Sequence, residues 1–272
     1  MSDNKSGKTV TNIEAPAPTE AIKTGRNLAG SKPTTAWGRF KQNLQFVRGR
    51  GALEITLVFV AIIIAFSIMS IADPSGFPFL DANNLSGVLT QSVPLMAILA
   101  IGVGILMISG EFDLSLGFAL TFNAIVFVRF TEAVGPVVGI FAGLLSGIMI
   151  GLINGAIVVF TKIPSFIATL GMGFFWGGAS IFINGTNAAQ LPPELSSEGS
   201  WFEFLFAHNF GFFRSQAVWL IIIGVIAYLF LQRHKLGNHI YAVGGNAAAA
   251  KAISISPNRV KLMAFGIEGL LV

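Results

Sequence analysis

The sequence predicts an all-α protein, a polytopic transmembrane helix bundle with about six complete spans and the start of a seventh. Three observations support this fold class. Of the 272 residues, 53% are hydrophobic and 11% are charged, whereas a soluble domain usually carries about 25% charged residues. Several apolar runs reach the roughly 20 residues that a membrane-spanning helix needs. One of these runs has a glycine at every fourth position, a spacing typical of helices that pack closely in lipid.

The first element is a polar arm over residues 1–52, which contains nine of the seventeen Lys and Arg residues. The arm has too few large apolar side chains to offset its conformational entropy, so we expect it to be disordered. Basic residues beside a span indicate the cytoplasmic side and attraction to anionic lipid. We therefore predict a disordered cytoplasmic arm at 1–52, with no role in nucleic-acid binding, and a transmembrane domain at 53–272.

The six predicted spans occupy residues 53–72, 85–108, 114–130, 136–160, 166–183 and 217–231. A seventh apolar run begins near Leu262 and is still in progress at Val272. We interpret this ending as the sign of a truncated chain, because half a span is an unusual terminus.

Charge in the loops predicts the orientation of the bundle. The 232–261 loop has five Lys or Arg residues and no carboxylate, whereas the 184–216 loop has three Glu residues against one Arg. The positive-inside rule therefore places the N-terminus and the 232–261 loop in the cytoplasm and the 184–216 loop outside. An even number of spans between the N-terminus and the 232–261 loop agrees with this assignment.

The glycine row of the fourth span favours close helix packing. Each glycine costs about 1 kcal/mol relative to alanine in a helix interior, and close approach of two backbones compensates for that cost in lipid. The row is either the contact surface of a tightly packed helix pair or a surface against which a neighbour slides during gating. The glycines assigned to packing are Gly139, Gly143, Gly147 and Gly151.

Polar side chains inside the spans are candidates for a solute path. They are Gln91, Ser92, Asn123 and Asn154. Each one alone is explained by hydrogen bonds between helices, but together they favour a polar lining suited to a hydroxyl-bearing solute. Pro94 lacks an amide donor and is expected to kink the second span.

The segment between the second and third spans, 109–115, concentrates acidic and hydroxyl groups. Asp113 is placed to accept a hydrogen bond from the amide of Ser115 or Leu116 at the start of the next helix. The segment is either a simple re-entry turn at the cytoplasmic face or part of a gate. The candidate gate residues are Glu111, Asp113, Ser115 and Gly117.

The sequence argues against catalysis. It has no Gly-x-x-x-x-Gly-Lys-[Ser/Thr] motif for cradling ATP phosphates. The three histidines fall in loops without metal-ligand spacing, and no nucleophile–base pair is apparent. We predict that the chain is not an enzyme, has no metal site and binds no cofactor.

The cytoplasmic loop predicts a short helix outside the membrane. Gly244 and Gly245 are expected to form a turn, Asn246 is a good N-cap, and residues 247–253 have strong helix propensity until Pro257 ends the run. Such a helix either docks in the groove of a partner or connects two spans along the membrane surface.

Three ordered motifs resemble a known family. They are EFDLSLG at 111–117, NG at 154–155 followed by IPSFIATLGM at 163–172, and YAVGGN at 241–246 followed by AA at 249–250 and RVK at 259–261. These segments are similar to motifs in the membrane permease subunits of bacterial ABC importers for ribose, xylose and similar monosaccharides. The sequence departs from the family at Trp176, at Ala247 and Ala248, and at Glu268.

The resemblance implies a multi-pass subunit of the bacterial inner membrane that imports a monosaccharide or similar small polar solute. It implies a separate ABC ATPase subunit that uses the ATP, a periplasmic sugar-binding protein and a second permease copy in a homodimer. The residues assigned to coupling with the ATPase are Gly244, Gly245, Asn246, Ala249, Ala250 and Lys251. Pentoses, hexoses and polyols all remain open as solutes.

The alternative function is a stand-alone secondary transporter or facilitator for a small polar solute. The spans have few ionisable groups from which to build an ion or proton relay, which disfavours it. A purely structural membrane scaffold would have no solute path, and the polar residues near Pro94 argue against that interpretation.

Overall fold

The computed structural model describes residues 52–197 and 199–272. All but the last residue of the predicted arm therefore lies outside the described residues. The elements in chain order are α1 (Ala52–Ala72), α2 (Ala82–Gly87), a π-helical segment (Val88–Ser92), α3 (Val93–Ile108), α4 (Leu116–Val134), α5 (Pro136–Thr161), α6 (Ser165–Asn184), α7 (Pro193–Ser196), α8 (Trp201–Phe206), β1 (Asn209–Phe210), β2 (Phe213–Arg214), α9 (Ser215–Arg233), α10 (Lys235–Gly245), α11 (Ala247–Ala252) and α12 (Pro257–Leu271).

The chain divides into two compact units, Met1–Met69 and Ser70–Val272. The described part of the first unit is most of α1, which is apolar on all sides, as expected of a helix in lipid. The second unit contains every element from α2 onward. Its inner framework is built from α3, α4, α5, α6 and α12, with α5 in contact with α4, α6 and α12.

Six helices in the described residues are long and apolar enough to cross a membrane. They are α1, the continuous stretch Ala82–Ile108, α4, α5, α6 and α9. The predicted all-α polytopic bundle is confirmed, and the structural bounds differ from the predicted ones by at most four residues. Besides helices, the described residues contain one antiparallel pair of two-residue strands.

The second span is irregular on the N-terminal side of its proline. The amide of Val93 bonds to the carbonyl of Val88 across a π-helical segment, and the buried Pro94 follows at once. Because proline has no amide to donate and its ring crowds the preceding turn, the wider π-helical turn accommodates it without ending the helix. A π-helical segment therefore lies just before the proline at which the sequence predicts a kink.

The glycine row of α5 contacts two different helices. The part of the row nearer the N-terminus of α5 faces α4, where a Cβ on Gly143 would lie 3.2 Å from the Cβ of Phe127. The part nearer the C-terminus of α5 faces α12, where a Cβ on Gly151 would lie 2.9 Å from the carbonyl carbon of Phe265. One small-residue surface therefore lets two backbones approach a central helix. This supports the tightly packed interpretation of the row.

The contact with α12 is reciprocal. A Cβ on Gly269 of α12 would lie 3.0 Å from the carbonyl carbon of Gly147, and Gly155 faces the fully buried ring of Phe265. Two glycine-bearing surfaces thus meet along α5 and α12, with Phe265 filling the space next to them.

The 184–216 loop, predicted only as an external loop, is folded. It contains α7, α8 and the β1–β2 hairpin. The hydroxyls of Ser86 and Thr90 donate to the carbonyl of Phe212 at 2.6 and 3.2 Å, and Arg214 donates to Gln91. The hairpin is therefore tied to the start of the second span.

The segment after α9 differs in part from the expectation. Asn246 is an N-cap as predicted, because its side chain accepts bonds from the amides of Ala248 and Ala249 at 3.0 Å each. The predicted turn at Gly244 and Gly245 is wrong, since both residues are the last turn of α10. Likewise Pro257 begins α12, where its missing amide costs nothing, instead of ending α11.

We predict that Gly151→Ala destabilises the protein by about 1–3 kcal/mol, because the added methyl group forces α5 and α12 apart. Gly224→Ala, in α9, is the matched control because a Cβ there meets no atom within 4 Å. Thermal unfolding in detergent measures both variants. Equal unfolding temperatures for the two variants would contradict the packing argument.

Candidate functional site

The turn between α3 and α4, residues 109–115, is fixed by its own backbone. Gly110 has φ +90°, which a residue with a side chain rarely adopts. The amides of Gly110 and Glu111 bond back to the carbonyls of Met107 and Leu106 at 3.0 and 3.3 Å. This is a Schellman ending of α3, so the direction in which the chain leaves the helix is set locally.

Asp113 and Ser115 start the next helix. The Oδ1 atom of Asp113 accepts from the amide of Ser115 at 2.6 Å, which confirms the predicted capping interaction. Both side chains are buried, at 5% and 1% exposed. Because a buried carboxylate is costly unless hydrogen-bonded, its second oxygen also needs a partner.

That partner is Asn154 of α5, which is fully buried. Its Nδ2 atom donates to Asp113 Oδ2 at 3.0 Å and to Ser115 Oγ at 2.7 Å. Its Oδ1 atom accepts from Trp176 Nε1 of α6 at 3.3 Å. One amide side chain therefore connects the 109–115 turn with two membrane helices.

The same turn is bonded to α6 through its backbone. The amide of Phe112 donates to Ser165 Oγ at 3.0 Å, and the amide of Leu114 donates to Thr169 Oγ1 at 2.9 Å. Two amides that no helix satisfies are thus paired with hydroxyls of α6.

Two carboxylates, Glu111 and Asp113, belong to this turn, and a third, Glu268, lies near Asp113. Glu111 forms an ion pair with Lys261 of α12, in which the two side chains are 11% and 25% exposed. Glu268, also on α12, is 2% exposed and near enough to Asp113 for their charges to interact. Its Oε1 atom has no hydrogen-bond partner within the described residues.

The predicted path residues are not brought together. The Gln91 side chain accepts a hydrogen bond from Arg214 of the hairpin, and Ser92 is exposed. Asn154 is fully buried and bonds to the 109–115 turn and to α6. Asn123 accepts from Ser146 Oγ at 2.8 Å, while its Nδ2 atom has no partner within residues 52–197 and 199–272. Their role as a solute path stays a prediction.

Asn123 lines a cavity of about 550 Å³. The other walls are mainly apolar and include the rings of Phe127, Phe202 and Phe206. Of the four predicted path residues, Asn123 is the one that lines this cavity.

The predicted gate residues lie at the turn, with one exception. Glu111, Asp113 and Ser115 belong to the bonded network described above. Gly117 lies in the first turn of α4, where its carbonyl accepts from Thr121 Oγ1 at 3.0 Å. A Cβ on Gly117 would meet no atom within 4 Å.

The predicted coupling residues divide into two groups. Ala250 is 2% exposed and belongs to an apolar cluster with Ile105 of α3, Ile240 and Val243 of α10, and Val260 of α12. Gly244, Gly245, Asn246, Ala249 and Lys251 are exposed. Ala250 thus packs α11 against the bundle. The other five residues are exposed, either on α11 or in the three positions just before it.

Sequence reasoning did not assign Ser165, Thr169 or Lys261 to the site. Ser165 and Thr169 are four residues apart, and Trp176 is seven further on, a spacing that places all three on one face of α6. That periodicity was the available signal. Lys261 offered none, because its ion pair with Glu111 spans 150 residues.

No group of three His, Cys, Asp or Glu side chains in the described part of the chain is arranged to hold a metal ion. The hydrogen-bonded cluster can stabilise a backbone arrangement, but it contains no nucleophile with an adjacent base.

We predict that Asn154→Ala destabilises the protein by about 3 kcal/mol or more, because it removes the hydrogen bonds that Asp113 Oδ2, Ser115 Oγ and Trp176 Nε1 make with Asn154. Thr121→Ala is the control, since that exposed hydroxyl bonds only within its own helix. Thermal unfolding in detergent is again the measurement. An Asn154→Ala protein as stable as the control would show that the network is dispensable.

Comparison with known proteins identifies the family. The family described as "Branched-chain amino acid transport system / permease component" matches residues 84–271, more than half of the chain. No solved structure matches the chain significantly.

Curated relatives agree with this match. The ribose import permease protein RbsC of Escherichia coli (strain K12) is 30% identical over 219 residues, which are 78% of this chain and 64% of that protein. RbsC of Bacillus subtilis (strain 168) is 32% identical over 226 residues, 81% of this chain and 66% of the relative. The fructose import permease protein FrcC of Rhizobium meliloti is 28% identical over 239 residues, 85% and 64% of the two chains.

The chain thus spans about 64% of the length of these relatives. With its apolar helices and a family match over most of the described residues, it is a multi-pass membrane protein that belongs to the family of transport-system permease components.

Proposed function

We propose that this chain is the membrane-spanning permease subunit of an ATP-driven ABC importer. It translocates a monosaccharide or similar small polar solute across the bacterial inner membrane. The relatives described above support the solute class, since they are import permeases for ribose and fructose. The external binding protein selects the solute, and the permease provides the passage.

The observation that carries this proposal is the position of α11. One side of this short helix, at Ala250, is sealed into the apolar cluster that joins α3, α10 and α12. The opposite side exposes Ala248, Ala249, Lys251 and Ala252, and Ile253 follows with 69% of its surface exposed. A firmly anchored helix with a small-residue outer face fits the groove of a partner protein.

The partner for this face is an ABC ATPase subunit. The 272-residue sequence has no phosphate-cradling P-loop motif, and we assign nucleotide binding to this separate subunit. ATP-driven closure of two ATPase subunits displaces α11, and the bundle alternates between outward and inward access. A second copy of the permease supplies the other half of the conduit.

The orientation follows the charge of the loops. The 232–261 segment, with its five basic and no acidic residues, is cytoplasmic together with the N-terminus. The 184–216 segment is periplasmic and receives the sugar-binding protein. Its bonds to the second span, through Ser86, Thr90 and Gln91, give that docking surface a fixed position.

The rival function is a secondary transporter that works alone. It needs ionisable groups that change charge along a path. Among the Asp, Glu, Lys, Arg and His residues, the six candidate spans contain Arg129, Glu132 and Arg233. Arg129 and Glu132 form an exposed ion pair with an N–O distance of 3.1 Å, and Arg233 is the last residue of α9. Uptake into liposomes by the chain without any ATPase, driven by an ion gradient, would favour the rival.

We predict that Ala249→Glu abolishes association with the ATPase subunit, because a bulky charged side chain is placed on the exposed face of α11. The matched control is Ala188→Glu, the same change at an exposed alanine of the 184–216 loop. Co-purification from detergent-solubilised membranes measures both. Retained association for Ala249→Glu, or loss for both variants alike, would contradict the assignment of α11.

A further inference from the structure

The 109–115 turn is in contact with the α10–α12 segment at two separate points. The first is a backbone contact: a Cβ on Gly244, in the last turn of α10, would lie 3.4 Å from the carbonyl carbon of Ser109, the first residue of the turn. The second is the ion pair between Glu111 and Lys261. Helix α11 lies between Gly244 and Lys261 in the sequence, so both ends of the segment that carries it touch the turn.

On its other side the turn holds the membrane helices. Phe112 and Leu114 bond to α6 through their amides, and Asp113 bonds to α5 through Asn154. Seven consecutive residues therefore contact the segment bearing α11 on one side and two spans on the other. Schellman geometry at Gly110 prevents the turn from bending freely between these contacts.

We infer that the 109–115 turn relays movement of α11 to α5 and α6, and that the Glu111–Lys261 ion pair is the positioning contact through which it does so. This inference rests on the proposed function, because it assigns the internal route of ATP-driven coupling. Both side chains are largely buried, so separating them leaves charges without a partner. The pair therefore moves as one body with the turn.

Neither contact alone would make the turn a relay. The close backbone approach at Gly244 resists only movement of α10 toward the turn. The ion pair also resists movement away from the turn, because separating the two charges costs free energy. The pair is therefore the element that returns the turn when α11 retracts. Because the pair is a charge interaction, reversing both charges should preserve it.

The experiment is a double-mutant cycle in proteoliposomes containing the full chain, its ATPase subunit and its solute-binding protein, with ribose, fructose and L-arabinose as probes. The variants are Glu111→Gln, Lys261→Gln, the double variant with both neutral changes, Lys261→Arg, and the charge swap Glu111→Lys with Lys261→Glu. The readouts are co-purification of the ATPase, solute uptake, and the ratio of solute-stimulated to basal ATP hydrolysis. Glu132→Gln is the matched control, since it breaks the exposed ion pair with Arg129.

We expect each neutral variant to retain the ATPase but to lose about fivefold or more in uptake and in the stimulation ratio. The swap should recover most of that loss, Lys261→Arg should behave as the unaltered chain, and Glu132→Gln should change nothing. Uptake at the unaltered level in the neutral variants would overturn the relay. A swap that is no better than the single variants would also overturn it.

Two further outcomes separate this inference from the proposed function. If Glu111→Gln loses the ATPase altogether, the pair is a structural contact and the relay assignment is wrong, although the importer assignment stands. If the unaltered chain fails to bind any ATPase, the proposed function itself fails, and the relay fails with it.

Discussion

The packing of α4, α5, α6 and the 109–115 turn depends on the hydrogen bonds of the Asn154 side chain. Lipid offers no partner to an exposed amide or carboxylate, so every polar group that enters the membrane interior has to be satisfied within the protein. Asn154 satisfies three at once, on the 109–115 turn and on α6. Because those partners also fix the start of α4, the position of one side chain on α5 determines how four elements meet.

The glycines of α5 make that arrangement sterically feasible. Asn154 reaches the turn only if α5 lies close to its neighbours, and the row of small residues permits this on two sides, toward α4 and toward α12. The approach to α12 also brings Lys261 to Glu111 and buries Glu268 near Asp113. The buried polar contacts around the 109–115 turn therefore depend on the close helix packing that the glycines of α5 permit. The close contact supplies dispersion energy, and the hydrogen bonds define the register.

Much of this fold was predictable from local pattern. Hydrophobic length gave six spans, the Asn246 cap was evident from its side chain and the alanines that follow, and the Asp113–Ser115 contact followed from spacing. Pairings between distant segments were not predictable. Lys261 and Glu111 are 150 residues apart, and Gln91 and Arg214 are 123 apart. Gly244 and Gly245 misled because glycine is common in turns, yet here Gly244 allows α10 to pass close to the Ile108 carbonyl.

The central claim is that the exposed face of α11 lies in the cytoplasm, where an ATPase can reach it. The chain has no cysteine, so a single introduced thiol reports its own location without background. The decisive measurement is membrane-impermeant thiol labelling of Ile253→Cys and, separately, Ala188→Cys in intact cells and in inverted membrane vesicles. The account predicts labelling of Ile253→Cys only in inverted vesicles and of Ala188→Cys only from the periplasmic side. The opposite pattern would contradict it, because an exterior α11 could never meet a cytoplasmic ATPase.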